Sequence, residues 1–213
     1  MPEPFVVAFV VGVTPGKWAR AWEERMPRHP LTLQQLAQPA ALAALADGTA
    51  DVALLRLPVA DDALSVIPLY TERPVAVAAK GHAIEAADEV SLADLAEFMI
   101  LDDSDWAAAV ELAAANVGIA IMPQSVARAH SRRDVTARLV TDAADTRIAL
   151  AWPTEHTTPA VEQFVGIVRG RTANSSRGAV ADEPKPASKP AKVVKPGRKP
   201  KAGATPKLKG KRR

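Results

Sequence analysis

The sequence contains no cysteine and few aromatic residues. Without cysteine, disulfides, thiolate zinc sites and thiol nucleophiles are excluded. The apolar run at residues 5–13 is too short to cross a bilayer. No basic segment precedes this run, as one would in a secretory signal peptide. We therefore expect a cytoplasmic protein with no membrane partner.

Sequence motifs of the common enzyme classes are also missing. There is no Gly-x-Ser-x-Gly elbow, P-loop or dinucleotide fingerprint. The four histidines are dispersed and lack the spacing of metal ligands. Asp102, Asp103 and Asp105 either bind a cation or belong to a solvated loop, and the missing glycine and spacing of a calcium loop favour the loop. We expect no catalytic residues, no cofactor and no metal.

Charge is divided unevenly along the chain. Residues 1–170, the body, contain 13 lysines and arginines against 22 acidic residues, whereas residues 171–213, the tail, contain 14 against two. An acidic body is a poor nucleic-acid surface, and a basic tail is a good one. The tail has no aromatic residue and no apolar periodicity. It is predicted to be disordered because it cannot bury enough apolar surface to offset its ordering entropy.

The first part of the body predicts alternating strands and helices. Residues 39–47 form a short Ala/Leu helix that ends at Gly48, the usual residue of a left-handed helix cap. The apolar run after Asp51 is typical of a strand buried on both faces. Preceding strands are predicted at residues 5–11 and 31–36. This order indicates an α/β fold with a parallel sheet.

A helix between the first two strands carries tryptophans four residues apart. Thr14 is placed as its N-cap and Pro15 as its first residue. Trp18, Trp22 and Met26 recur at helical spacing. They form either one buried apolar stripe or, for the tryptophans, a surface that stacks on bases. The spacing favours the buried stripe.

The second part of the body continues the alternation. A capping-box-like helix start is predicted at Ser91–Asp94, and Asn116 occupies a position suited to left-handed backbone. Strands are predicted at residues 75–79, 98–101, 118–122, 135–140 and 147–152, and helices at residues 105–115, 123–128 and 160–169.

Several segments, in order, carry a resemblance to a known family. They include ALADGTADVAL, SVIPLYTERPVAVAAK and ANVGIAIMPQSVAR. The chain resembles the effector-binding domain of LysR-type transcriptional regulators over residues 5–169. The resemblance implies a two-lobed, periplasmic-binding-protein-like fold with mainly parallel sheets, a small-molecule effector, a homodimer and no enzymatic activity. It departs from the family in having no helix-turn-helix domain, a shortened second lobe between Asp103 and Glu111, and a basic tail.

The predicted domain is residues 1–170, with a disordered tail at 171–213. Lobe I covers about residues 5–68 and 153–170, and the reduced lobe II covers about 69–152. Ligands of α/β sheets collect at strand ends and helix N-termini. The candidate site for a small anionic effector therefore consists of Thr14, Gly16, Lys17, Gln38 and Arg56.

Alternatives stay open at these positions. Thr14 to Lys17 form either an anion clamp or an ordinary helix start beside a surface lysine. Arg56 either pairs with a ligand carboxylate or neutralises Asp51 or Asp61. The leading hypothesis is an accessory or degenerate transcriptional regulator, the second is a carboxylate-binding module with an incidental tail, and an enzyme is disfavoured.

The tail is similar in composition to the Lys/Pro/Ala tails of linker histones and some nucleoid proteins. A mobile polycation binds nucleic acid through counterion release without reading its sequence. The alternatives are a solubilising tail or one that folds back on the acidic body. The cations expected to contact nucleic acid, and to associate the protein with the nucleoid, are Lys185, Lys189, Lys192, Lys195, Arg198, Lys199, Lys201, Lys207, Lys209, Lys211, Arg212 and Arg213.

Overall fold

The computed structural model describes residues 3–101 and 105–171. Its strands form two sheets, one for each lobe. The first sheet, in the order β2-β1-β3-β9-β4, consists of β1 (Phe5–Phe9), β2 (Leu31–Gln35), β3 (Val52–Leu57), β4 (Leu64–Glu72) and β9 (Thr146–Pro153). The second sheet, in the order β6-β8-β5-β7, consists of β5 (Pro74–Ala79), β6 (Glu89–Val90), β7 (Ala120–Pro123) and β8 (Val135–Val140).

Helices cover both sheets, and their bounds agree closely with the sequence prediction. None of the helices in the described part of the chain is long and apolar enough to cross a membrane. The helices are α1 (Gly16–Arg25), α2 (Gln38–Ala46), α3 (Leu92–Leu95), α4 (Trp106–Ala114), α5 (Gln124–Ala129) and α6 (Pro159–Val168), with 3-10 helices at Ala83–Ala86 and Thr154–His156.

The predicted βαβαβ unit is confirmed in the first lobe. Strand β1 pairs in parallel with both β2 and β3. Residues 52–55 of β3 are fully buried, as expected of a strand covered on both faces. Gly48 has φ +75° after α2, the left-handed conformation that glycine adopts without steric cost. The helix stop and the buried strand were therefore both readable from the residues.

An aromatic cluster joins α1 and α6 to the first sheet. Trp22 is fully buried and stacks on Phe5 with ring centroids 4.5 Å apart. Phe164 of α6 lies 6.0 Å from the Trp22 ring. The indole N–H of Trp22 donates to the carbonyl of His29 at 2.8 Å. The tryptophan stripe is thus core, and Trp22 does not stack on bases.

The sheets are mixed, which corrects the expectation of mainly parallel sheets. Strand β9 is antiparallel to both β3 and β4, and β5 is antiparallel to β7 and β8. In the second sheet only β6 and β8 pair in parallel. The reason is the connection between lobes: β4 leaves the first sheet and β9 returns to it, so neighbouring strands run in opposite directions.

The second sheet is covered on both faces although its lobe is small. Val75 and Val77 of β5 pack against α4 and α5, in a cluster with Val110 and Val126. The intervening alanines of β5 face the other side and join the cluster of Leu95. The β-strand alternation of side chains therefore places α4 and α5 on one face and α3 on the other.

Local signals in the second lobe are mostly confirmed. The Ser91–Asp94 capping box is formed in both directions, and Asn116 has φ 58°. The strand predicted at residues 98–101 is reduced to a single parallel bridge between Ile100 and Ile119. Asp102, Asp103 and the predicted disordered tail from residue 172 lie outside the described residues.

Candidate functional site

A cleft of about 920 Å³ lies between the two lobes. Its first-lobe wall comes from the loop after β1, the start of α1, and the last residues of β2 and β4. Its second-lobe wall comes from α5. The lining residues are Gly12, Val13, Thr14, Gly16, Lys17, Trp18, Arg20, Gln35, Tyr70, Glu72, Ser125, Arg128 and Ala129.

Three of the five predicted site residues line this cleft: Thr14, Gly16 and Lys17. Helix α1 begins at Gly16, and its N-cap position is occupied by Pro15 without a side-chain capping bond. The prediction of Thr14 as N-cap is therefore wrong, because the chain enters the helix one residue later. The N–H groups of Gly16 and Lys17 belong to the first turn, where backbone donors have no partner within the helix.

Gln38 and Arg56 do not line the cleft, because each is held by protein groups. The amide of Gln38 donates to the Arg56 carbonyl at 2.9 Å and accepts from the Arg56 N–H at 2.9 Å. This pair ties the start of α2 to β3. Of the partners considered for Arg56, Asp51 instead accepts from the backbone N–H of Val6, at 2.7 Å. Asp61 accepts from the N–H of the nearby Ala63.

The partner of Arg56 is Glu72. The Arg56 Nε lies 2.9 Å from Glu72 Oε2, and the side chains are 12% and 4% exposed. The guanidinium also donates to the Val11 carbonyl at 2.8 Å and to Ser125 Oγ at 3.2 Å. Arg56 Nε and Nη2 thus both have internal acceptors, and the charge of the guanidinium compensates the buried carboxylate.

The side chains that line the cleft favour an anion. Lys17, Arg20 and Arg128 are basic, whereas Glu72 is the acidic lining residue and its charge is compensated by Arg56. None of the three cations forms a salt bridge within residues 3–101 and 105–171. Positive charge at this position stands out in a body with more acidic than basic residues. The cleft wall therefore carries a local excess of positive charge.

Tyr70 supplies a neutral donor on the same wall. Burial raises the pKa of Tyr70 above its ordinary value of 10.0, and the nearby Glu72 charge raises it further. The phenol therefore keeps its proton at neutral pH. Because Tyr70 is 40% exposed, the hydroxyl can donate to a molecule in the cleft.

Sequence reasoning missed the residues that the second lobe and β4 bring to the cleft. Arg20 could have been found, since it lies three residues after Lys17 on the same side of α1. Tyr70 was missed because strand β4 was not predicted. Ser125 and Arg128 carry no local signal, because α5 reaches the cleft only when the lobes meet. Gln35 and Glu72 also line the cleft, each at the end of a strand.

The described residues contain no group of three potential ligands suited to a metal ion. Asp105 accepts from the N–H groups of Ala107 and Ala108 at the start of α4. Asp105 is therefore the N-cap of α4.

Together these features define a two-lobed α/β binding domain with a cationic cleft at the lobe junction. The sequence profile described as the LysR substrate binding domain matches residues 14–104 and 101–173. The chain belongs to this family. Domains of this family are the ligand-sensing parts of transcriptional regulators and are generally non-enzymatic.

Solved structures share the fold at low sequence identity. The effector-binding domain of BenM with its effector benzoate has a TM-score of 0.65 and 18% identity, over 79% of this chain and 94% of that one. An OxyR variant from Corynebacterium glutamicum with bound hydrogen peroxide has a TM-score of 0.64 and 21% identity, over 79% and 67%. The reduced OxyR regulatory domain from Pseudomonas aeruginosa has a TM-score of 0.62 and 16% identity, over 79% and 95%. No curated protein sequence matches the chain.

Proposed function

We propose that the cleft binds a small anionic effector and that the protein acts without enzymatic activity, as a sensor. The observation that carries the proposal is the charge of the cleft wall: three unpaired cations among the described residues, with the acidic lining residue already neutralised. The BenM domain of the same fold was solved with benzoate, an aromatic carboxylate. A carboxylate is therefore the first ligand class to test.

The proposed contacts come from both lobes. The N–H groups of Gly16 and Lys17, with the Lys17 ammonium, face one side of the anion, and Arg128 approaches from α5. A first-turn helix position adds a favourable dipole for negative charge. Thr14 and Tyr70 contribute hydroxyl groups. Gln38 and Arg56 have the supporting role of fixing the cleft wall.

The test is thermal unfolding of the full chain with benzoate, malate or inorganic phosphate. A ligand present at 100 times its Kd raises the free energy of unfolding by about 2.7 kcal/mol, so the midpoint should rise with concentration. Lys17→Gln or Arg128→Gln should weaken binding about tenfold or more, because a hydrogen bond to a charged group contributes about 1.5–3 kcal/mol. Arg25→Gln, on the same helix as Lys17 but outside the cleft, is the matched control. If none of the three anions changes the midpoint, the anion-sensor proposal fails.

We further propose that the tail binds nucleic acid and that the protein is an accessory regulator. The support is compositional: from residue 185 onward the sequence has twelve cations and no acidic residue. Such a segment binds phosphates electrostatically, without base readout. A cytoplasmic, nucleoid-associated location follows from this proposal. The homodimer implied by the family remains a prediction.

A further inference from the structure

We propose that Arg56, Glu72 and Ser125 form a latch that fixes the angle between the two lobes. Arg56 belongs to β3 of the first lobe, and Ser125 belongs to α5 of the second. Glu72 is the last residue of β4, where the chain passes into the second lobe. The three side chains are joined by direct hydrogen bonds.

The acidic member of the latch sits at the hinge. Glu72 is opposite Thr146 in the pairing of β4 with β9, so it lies where both interlobe connections meet. Its Oε2 accepts from Arg56 Nε at 2.9 Å and lies 3.5 Å from the Thr146 hydroxyl. Its Oε1 accepts from the Ser125 hydroxyl. One buried carboxylate therefore contacts the first lobe, the return strand and the second lobe.

The guanidinium gives the latch its geometry. Besides Glu72, Arg56 Nη2 donates to the Val11 carbonyl at 2.8 Å and to Ser125 Oγ at 3.2 Å. A planar, rigid fork can satisfy these acceptors simultaneously, which a lysine ammonium on a flexible stem cannot. Because the pair is nearly excluded from solvent, its interactions are weakly screened. The two hydrogen bonds of Ser125, from Arg56 and to Glu72, hold α5 against the first lobe.

Gly12 shows how closely the lobes approach at the latch. A Cβ atom added to Gly12 would lie 2.4 Å from Ser125 Oγ and 2.9 Å from the Ser125 carbonyl carbon. The second of these atoms is backbone and cannot rotate away. Gly12 also has φ +88°, a conformation that other residues rarely adopt. The junction thus has no room for a side chain while the latch is closed.

The latch also couples the lobe angle to the cleft, and this step rests on the proposed anion binding. Glu72 and Ser125 both line the cleft. The Ser125 hydroxyl has one proton, and this proton is donated to Glu72 in a hydrogen bond. An anion that accepts a hydrogen bond from this hydroxyl must displace Glu72 as the acceptor. Ligand binding at Ser125 and the closed latch are therefore mutually exclusive.

The absence of cysteine allows a direct test on the full chain. Glu24→Cys and Asp88→Cys, both exposed and on different lobes, accept a pair of nitroxide labels for a pulsed electron spin resonance distance measurement. The parent should give one narrow distance distribution without ligand. Ser125→Ala and Arg56→Lys should broaden it or shift it. Ser131→Ala, the same deletion on an exposed serine of the second lobe, should leave it unchanged.

The outcomes separate the latch from the anion site. If Ser125→Ala has the same distance distribution as the parent, the latch proposal is overturned. This variant removes one hydroxyl and keeps the buried ion pair, so the test remains valid even if Arg56→Lys fails to fold. If benzoate raises the unfolding midpoint of the parent but leaves its distance distribution unchanged, the proposal that a ligand opens the latch is overturned. If benzoate leaves the midpoint unchanged while Ser125→Ala broadens the distribution, the latch stands and benzoate as effector is rejected.

Discussion

At the scale of single residues, buried polar groups decide which side chains are free to act. Arg56 and Gln38 stand at the end of a strand and the start of a helix, where ligands often bind. Both instead form hydrogen bonds within the protein, and the cations that line the cleft are Lys17, Arg20 and Arg128. The pattern of residues led to Thr14, Gly16 and Lys17 of the cleft wall, but the hydrogen-bond partners decided which cations line the cleft.

The buried pair gives a prediction at this scale. Arg56→Met leaves the Glu72 carboxylate buried without its cation, so the free energy of unfolding should fall by about 3–5 kcal/mol in urea titrations. The double variant Arg56→Met with Glu72→Gln should recover much of this loss, because no uncompensated charge remains. Arg132→Met removes the cation of an exposed pair of similar geometry and should change stability little. Equal losses from the two arginines would contradict the argument.

At the scale of elements, local signals with a specific backbone requirement were reliable. The sequence predicted left-handed backbone at Gly48 and at Asn116 and a capping box at Ser91–Asp94. The structure contains all three. Strand β4 was missed because Pro68 interrupts its pattern. Proline lacks an N–H donor, yet β4 tolerates it because the strand lies at the sheet edge and has an irregularity between Pro68 and Tyr70.

The capping box of α3 predicts a pH dependence. Hydrogen bonds from the Ser91 hydroxyl and backbone N–H lower the pKa of Asp94 below its ordinary value of 3.8. A carboxyl with a lowered folded-state pKa stabilises the fold above its unfolded-state pKa, and this contribution is lost as pH falls through the folded-state value. Asp94→Asn should therefore be less stable than the parent at pH 7.

The stability difference should shrink as pH falls below about 3.8, because the carboxyl is then protonated first in the unfolded state and, at lower pH, also in the folded state. Chemical denaturation at a series of pH values measures it. Asp88→Asn, at an exposed acid outside the capping box, is the control. A stability difference for Asp94→Asn that stays constant down to pH 2 would exclude the charged cap as its cause.

At the scale of the whole molecule, charge is segregated between an acidic body and a basic tail. The full chain should bind duplex DNA, with affinity falling about 10³-fold or more between 50 and 200 mM salt if six to ten phosphates are neutralised. Fluorescence anisotropy at several salt concentrations measures this slope. A full-length variant with the twelve tail cations from Lys185 to Arg213 replaced by glutamine should lose the binding.

A variant with the tail sequence scrambled at constant composition is the matched control. It should bind as the parent does, because counterion release depends on charge and not on order. Retained affinity in the glutamine variant would instead locate DNA binding in the body, and the nucleic-acid role of the tail would be rejected.

The sequence by itself determined the α/β class, most helix and strand bounds, the family and the division of charge. These follow from local periodicity, caps and composition, which depend on neighbours along the chain. Only the tertiary structure decided the mixed parallel and antiparallel pairing of the strands, the contact of Ser125 with Glu72 and the position of Arg128 at the cleft. The antiparallel strand pairs and these two side-chain placements join residues more than forty positions apart, and the distance between such residues is set by how the chain packs in three dimensions.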